Sequence, residues 1–190
     1  MKALREAAAK GDLDKVKKLH EEEKANLDEA GPMSQNTALH HAALNGHVNV
    51  VNYLVEHVKN VDPLNLQKNS PLSLVIQNKK ISLSSRLMII KTLLEKKANP
   101  LLSNELGRTP LMYFVTLRDS KEAVSSYYFI QEVNLIIRQM KQYVLEQAQD
   151  KSSSVSIRPD GSVVFGSSNQ ILNNPNNFLG NIKITAFMKK

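Results

Sequence analysis

The stretch Thr37-Ala38-Leu39-His40-His41-Ala42-Ala43-Leu44-Asn45-Gly46-His47-Val48-Asn49-Val50-Val51 decides the fold. A threonine suits the position before a helix, where its side-chain oxygen takes up one of the orphan backbone amides. Leu39, Ala42 and Ala43 then share one helical face, and the alanines are small enough to let a second helix approach closely. Gly46 supplies the left-handed residue that ends the helix. Beyond it Val50, Val51, Leu54 and Val55 recur at helical spacing. Each of them contributes about 1.5 to 3 kcal/mol when fully buried. The stretch predicts a helical hairpin, a unit too small to close a core alone.

The same unit returns. Ser70-Pro71-Leu72-Ser73-Leu74 opens 33 residues after Thr37, and Pro71 at a first helical position gives up no hydrogen bond. Its second helix reads from Ile89 through Leu93 and Leu94 to Lys97, Ala98, Asn99 and Pro100. Thr109-Pro110-Leu111 follows Gly107, 39 residues after Ser70, so this unit is six residues longer. The extra length is expected between Lys79 and Ile89, as a longer connection between the helices. Ahead of Thr37, Ala7-Ala8-Ala9-Lys10-Gly11-Asp12 is followed by Val16 and Leu19, with Gly11 lying 35 residues before Gly46. That first unit is charged, as the outer cap of a stacked array needs to be.

Past residue 118, Asp119 with Glu122 forms a capping-box pattern, and Phe129, Val133, Ile136, Ile137, Met140 and Val144 recur at helical spacing. The first part is expected to complete a fourth unit and the remainder to cover the end of the stack, with Met140 and Tyr143 on a packed face. After Asp150 the composition turns to Ser, Asn, Gly and Pro. Ser152-Ser153-Ser154 reads as a linker. Val155-Ser156-Ile157-Arg158 and Ser162-Val163-Val164-Phe165 flank Pro159-Asp160-Gly161, the pattern of a hairpin. Asn181 to Phe187 is a candidate third strand. An isolated hairpin is marginal in water, so it either packs on the helices or is partly disordered. The domain organisation expected is a helical array over residues 1–150 and a polar tail over residues 151–190.

Composition narrows the chemistry. Hydrophobic residues make up 42% and charged residues 23% of the 190, the balance of a globular chain. Cys is 0, which excludes thiol nucleophiles, disulfides and thiolate metal sites. No run approaches the roughly 20 apolar residues of a membrane span, and Met1-Lys2-Ala3-Leu4-Arg5-Glu6 is charged where a signal peptide runs apolar. The adjacent His40 and His41 diverge by about 100 degrees on a helix, so they do not form a metal-gripping pair. Neither a Gly-rich phosphate loop nor a G-x-S-x-G nucleophile motif occurs. No catalysis, cofactor or metal is expected.

The net charge of +7 is local. Residues 37–100 carry 8 basic and 3 acidic groups, with Lys79, Lys80, Arg86, Lys91, Lys96 and Lys97 close together in sequence. Two readings follow: a solvated lysine face, or a surface for nucleic acid or another anion through the basic third unit and the tail. Aromatics do not interleave with these lysines, so a stacking platform for single strands is missing.

The unit at Thr37 resembles an ankyrin repeat, whose pattern reads T-P-L-H-x-A-A-x-x-G-H with a V-V-x-L-L run after it. Departures are Ala38 where Pro is usual and Lys68 and Lys97 where Gly is usual. The resemblance covers roughly residues 3–145 and implies an all-α helical repeat solenoid of about four units, with a short C-terminal β-hairpin or flexible tail. It gives His40 and His47 structural roles. It implies a non-catalytic scaffold, monomeric by itself, that binds another protein through loop tips and inner helices. Carried over by position, that surface comprises Met33, Ser34, Asn36, Leu44 and Asn45 of the second unit. It continues through Leu66, Gln67, Asn69, Gln77 and Asn78 of the third, and Glu105, Leu106, Arg108, Thr116 and Leu117 of the fourth. Met33, Leu44, Leu66 and Leu106 are the expected apolar anchors. The Asn- and Lys-rich usage and degenerate repeats resemble ankyrin proteins of intracellular bacteria, some of them delivered into host cells. The charged start, the missing apolar span and the absence of Cys make a cytoplasmic location the expectation, and host cytosol if the chain is a secreted effector. A further reading makes the chain the targeting portion of a larger enzyme.

Overall fold

Side-chain oxygens of Asp12, Thr37, Ser70 and Ser82 each accept from a backbone amide at the start of a helix. In a computed structural model, residues 2–118, 131, 134–140, 142–143, 146, 154–157 and 163–166 are described. The chain forms two compact bodies, Met1–Leu106 and Gly107–Lys190. The boundary expected at residue 150 lies outside the described residues.

The first body holds three helical hairpins: α1 (Lys2–Lys10) with α2 (Leu13–Glu21), α3 (Ala38–Asn45) with α4 (Val48–His57), and α5 (Pro71–Gln77) with α6 (Leu83–Glu95). Thr37 caps α3 by accepting from the His40 amide, and Ser70 caps α5 by accepting from the Ser73 amide, with Pro71 at the first turn. Gly46 closes α3 at φ 77°, and Gly11 takes φ 76° after α1. α1, α3 and α5 pack in one row and α2, α4 and α6 in a second. Between them lies a continuous core: Leu4, Ala8, Val16, Leu39, Ala42, Ala43, Val50, Val51, Leu54, Leu72, Val75, Ile89, Ile90 and Leu93 are all buried. No hairpin owns that interior alone, which is why the units stand or fall together.

The six extra residues of the third unit are not all connection. α1–α2 and α3–α4 are each joined by two residues, whereas residues 78–82 join α5 to α6, and α6 runs 13 residues against 10 for α4. Ser82 is the reason: its hydroxyl accepts from the Ser85 amide at 3.1 Å and starts the helix early, so part of the insertion extends α6.

Polar atoms repeat too. Asp28 accepts from the Lys59 and Asn60 amides at 3.1 and 3.3 Å, and Asp62 accepts from the Asn99 amide at 2.8 Å. Each carboxylate fastens the loop after one outer helix to the next. Burial pushes the Asp62 carboxyl above its ordinary range.

In the second body α7 (Pro110–Arg118) buries Leu111 and Phe114, and Ile136, Ile137 and Met140 are buried within residues 134–140, the packed face expected for Met140. β1 (Ser154–Ile157) and β2 (Val163–Gly166) pair antiparallel, Ser154 opposite Gly166 and Ile157 opposite Val163, the hairpin expected from Pro159-Asp160-Gly161. The capping box at Asp119 and the third strand at 181–187 lie outside the described residues. Among the described residues no helix is long and apolar enough to cross a membrane.

Candidate partner-binding surface

Three turns precede α3, α5 and α7, and each pivots on one left-handed residue: Gln35 at φ 56°, Lys68 at φ 56° and Gly107 at φ 69°. Within the first body the turns are joined to one another by backbone. The Leu66 amide donates to the Ser34 carbonyl at 2.9 Å and the Glu105 amide donates to the Gln67 carbonyl at 3.1 Å. The result is a ribbon of turn tips in fixed register. Its tips carry apolar side chains into solvent: Met33 is 87% exposed, Leu66 52% and Leu106 77%. Gln67 and Glu105 are exposed beside them and Ser34 is half-buried; Arg108, in the second body, is exposed.

Beneath the tips the asparagines act as braces. Asn65 donates from Nδ2 to Asn36 Oδ1 at 2.9 Å, and its own Oδ1 accepts from the Gln67 and Asn69 amides at 3.1 and 2.9 Å. Asn104 donates from Nδ2 to Asn69 Oδ1 at 3.1 Å. Asn36 and Asn69, expected to face a partner, are therefore half-buried and partly committed to holding the ribbon.

His40 ties that ribbon to the helices. Its Nδ1 accepts from the Thr37 amide at 3.1 Å, so Nε2 carries the proton and donates to the Asn69 carbonyl at 3.0 Å. Burial holds the ring neutral by lowering its pKa to about 4. His47 donates from Nε2 to the Ala9 carbonyl at 2.9 Å, its ring packed where a side chain on Gly11 would collide. Both histidines are structural in this geometry. Among the described residues no group of three or more metal-binding side chains converges.

Behind the tips, the C-terminal ends of α3 and α5 enclose an open groove lined by Leu44, Asn45, Leu74, Gln77, Asn78 and Lys80. Leu44, expected to be an exposed anchor, is half-buried and forms part of the floor. Four expected residues meet here: Leu44, Asn45, Gln77 and Asn78. Leu74 and Lys80 complete the lining without having been singled out for it. The signal for Lys80 was the enlarged connection; Leu74 gave none, because its exposure depends on the neighbouring unit. Thr116 and Leu117 lie on α7 in the second body.

The six basic residues of the third unit do not form one stripe. Arg86 is buried along α6, and Lys96 pairs with Glu56 at 2.7 Å. Lys79 and Lys80 precede α6 while Lys96 and Lys97 follow it, and 13 helical residues separate the pairs. That length corresponds to about 20 Å.

A family model described as ankyrin repeats, in three copies, matches residues 4–100. An Arabidopsis thaliana protein with the name "Putative E3 ubiquitin-protein ligase XBAT31" is 28% identical over 104 residues, which is 55% of this chain. The chain spans 22% of that relative's length.

Proposed function

The chain belongs to the ankyrin repeat family, whose repeats make a protein-protein interaction module, and from that premise we propose a non-catalytic scaffold that holds its partner against the turn ribbon and the inner-helix ends. One observation supports this most. Met33, Leu66 and Leu106 stand exposed on turns whose backbones are hydrogen-bonded to one another, so apolar surface is presented on a preorganised frame. Burying apolar side chains from a rigid support avoids most of the ordering cost of association. The groove residues Leu44, Asn45, Gln77 and Asn78 extend the same surface.

The experiment is a binding titration of a co-purifying protein against wild type, Met33→Asp and Leu66→Asp. Each substitution lowers affinity by about tenfold or more if the tip is a central anchor, with unfolding midpoints unchanged. Unchanged affinity for every partner recovered sinks the proposal.

The Arabidopsis relative supports a second reading, that the array is the targeting portion of a larger enzyme. What this chain shares with it are 104 residues overlapping the repeats, so ligase activity itself is not carried over. If this reading holds, the same tip variants impair capture of a substrate protein.

A further inference from the structure

We propose that the groove between the C-terminal ends of α3 and α5 takes an acidic peptide segment with an apolar anchor, its carboxylates on Lys79 and Lys80 and its anchor on Leu44 and Leu74. The inference rests on the scaffold reading above and names the chemistry of the partner.

Three observations converge. The first is the floor. Leu44 and Leu74 are half-buried apolar side chains flanked by the amides of Asn45, Gln77 and Asn78. Leucine takes an aliphatic or aromatic side chain, and the amides serve a peptide backbone, which both donates and accepts.

The second is the rim. Of the three hairpins of the first body only the third has a five-residue connection, and it brings Lys80 into the groove lining with the exposed Lys79 next to it in sequence. Asn78 fixes how that connection leaves the helix: its Nδ2 donates to the Leu44 carbonyl of the preceding unit, and its Oδ1 accepts from the Lys80 amide at 2.8 Å. The first two connections contain Gly11-Asp12 and Gly46-His47 and offer no equivalent.

The third is charge. Residues 37–100 hold three carboxylates, Glu56, Asp62 and Glu95, and none lines the groove. Glu56 pairs with Lys96, and Asp62 accepts from the Asn99 amide. Lys79 and Lys80 are exposed and form no ion pair with a described residue. At the end of α3 the Ala42 and Ala43 carbonyls accept from the Gly46 and His47 amides and the Leu44 carbonyl accepts from Asn78 Nδ2; at the end of α5 the Leu74 carbonyl accepts from the Asn78 amide. A positive rim over an apolar floor with no competing carboxylate complements an acidic peptide. A nucleic acid fits less well, since phosphate makes no use of the leucines and the groove offers no aromatic ring for base stacking.

The test is selection of random dodecapeptides displayed on phage against the full chain. Labelled winners are then titrated against wild type, the double variant K79E/K80E, and Leu66→Asp, with oligothymidylate as competitor. The expected winners are enriched in Asp and Glu next to a large apolar residue, and lose about tenfold or more in affinity for K79E/K80E. The unfolding midpoint of that variant stays at the wild-type value, because both side chains are exposed. Winners without acidic enrichment, affinity unchanged in K79E/K80E, or displacement by oligothymidylate at equal concentration each overturn the proposal. Failure of the scaffold reading is distinguishable: winners that ignore the lysines but are lost in Leu66→Asp overturn the acidic assignment alone. Recovery of no peptide overturns the groove assignment, and the protein partner titrations then judge the scaffold on their own.

Discussion

The hairpin that starts at Thr37 and the one that starts at Ser70 are the same unit fastened in two ways. In the first, His40 reaches from its own cap to the Asn69 carbonyl, a histidine brace between consecutive units. In the second, Ser73 occupies the equivalent place and turns back, donating to the Ser70 carbonyl at 2.9 Å and lying 3.4 Å from Asn69 Oδ1. The first closes its helices with two residues and a left-handed glycine; the second uses five residues and Asn78. What the two share is the capping oxygen and the leucine two residues on. What differs lies at the edges of the core, where the chain can change without opening a cavity.

The largest expected effect tests the shared part. Leu39→Ala and Leu72→Ala remove equivalent, fully buried side chains. Each is expected to cost about 2 to 5 kcal/mol, measured from urea midpoints. Similar losses in a single transition are the mark of one interior; a large loss at Leu39 with almost none at Leu72 breaks the equivalence.

The brace predicts a pH difference between the units. His40 has a folded pKa of about 4, below the unfolded value of about 6.5. The folded state therefore prefers the neutral ring. Its stabilisation is fully present above the unfolded pKa and is lost as pH falls from there through the folded one, an effect of at most about 3 kcal/mol. His41 is lowered in the same direction, by burial and then by Arg5. Asp62 is raised and so opposes the trend at the acid end of the window. Stability against pH, followed by urea midpoints, is expected to be flatter for His40→Gln than for wild type in this window. Parallel curves remove the brace as the source. The third unit has Ser73 there and contributes no such slope.

How much of this was legible in the sequence follows from the range of the forces. Thr37, Ser70 and Gly46 act on the backbone within four residues, so their roles are readable from identity and spacing alone. The valines of α4 are readable because their period matches the helix. Arg86 counted as a surface base, yet it is buried, a fact set by what α6 packs against. Asn36 and Asn69 look like surface amides and are braces, because the partners, Asn65 and Asn104, lie 29 and 35 residues away. The groove required both kinds of knowledge: Leu44, Asn45, Gln77 and Asn78 came from position in the repeat, whereas Leu74 and Lys80 emerge only when α5 is set beside α3. The start of α6 at Leu83 was hidden because Ser82, Ser84 and Ser85 are all acceptable caps.

The connections supply a smaller contrast. Gly46 sits at φ 77°, and an added Cβ there meets Ile81 Cγ2 at 3.1 Å. Gly46→Ala is expected to cost about 1 to 2 kcal/mol for the left-handed backbone alone. The equivalent residue of the third unit is Lys79, which is exposed and lacks a positive φ. Lys79→Ala is expected to stay within about 0.5 kcal/mol of wild type. Thermal melts of the two variants measure the contrast, and equal costs would deny that the longer connection relieves the turn.

The smallest effect concerns the turns before α5 and α7, where Lys68 and Gly107 occupy corresponding left-handed positions in the repeat pattern. A non-glycine residue there costs about 1 to 2 kcal/mol. Glycine removes that strain but adds freedom to the unfolded chain worth about 0.5 to 1 kcal/mol. Lys68→Gly is therefore expected to stabilise by no more than about 1.5 kcal/mol. Gly107→Ala meets no atom within 4 Å of the new Cβ, so any loss is conformational and not steric. It is expected to destabilise by a similar amount. Opposite signs at the two turns, read from denaturant midpoints, would show one backbone geometry beneath two different residues; the same sign at both would mean that the Lys68 side chain contributes a contact that outweighs its strained φ.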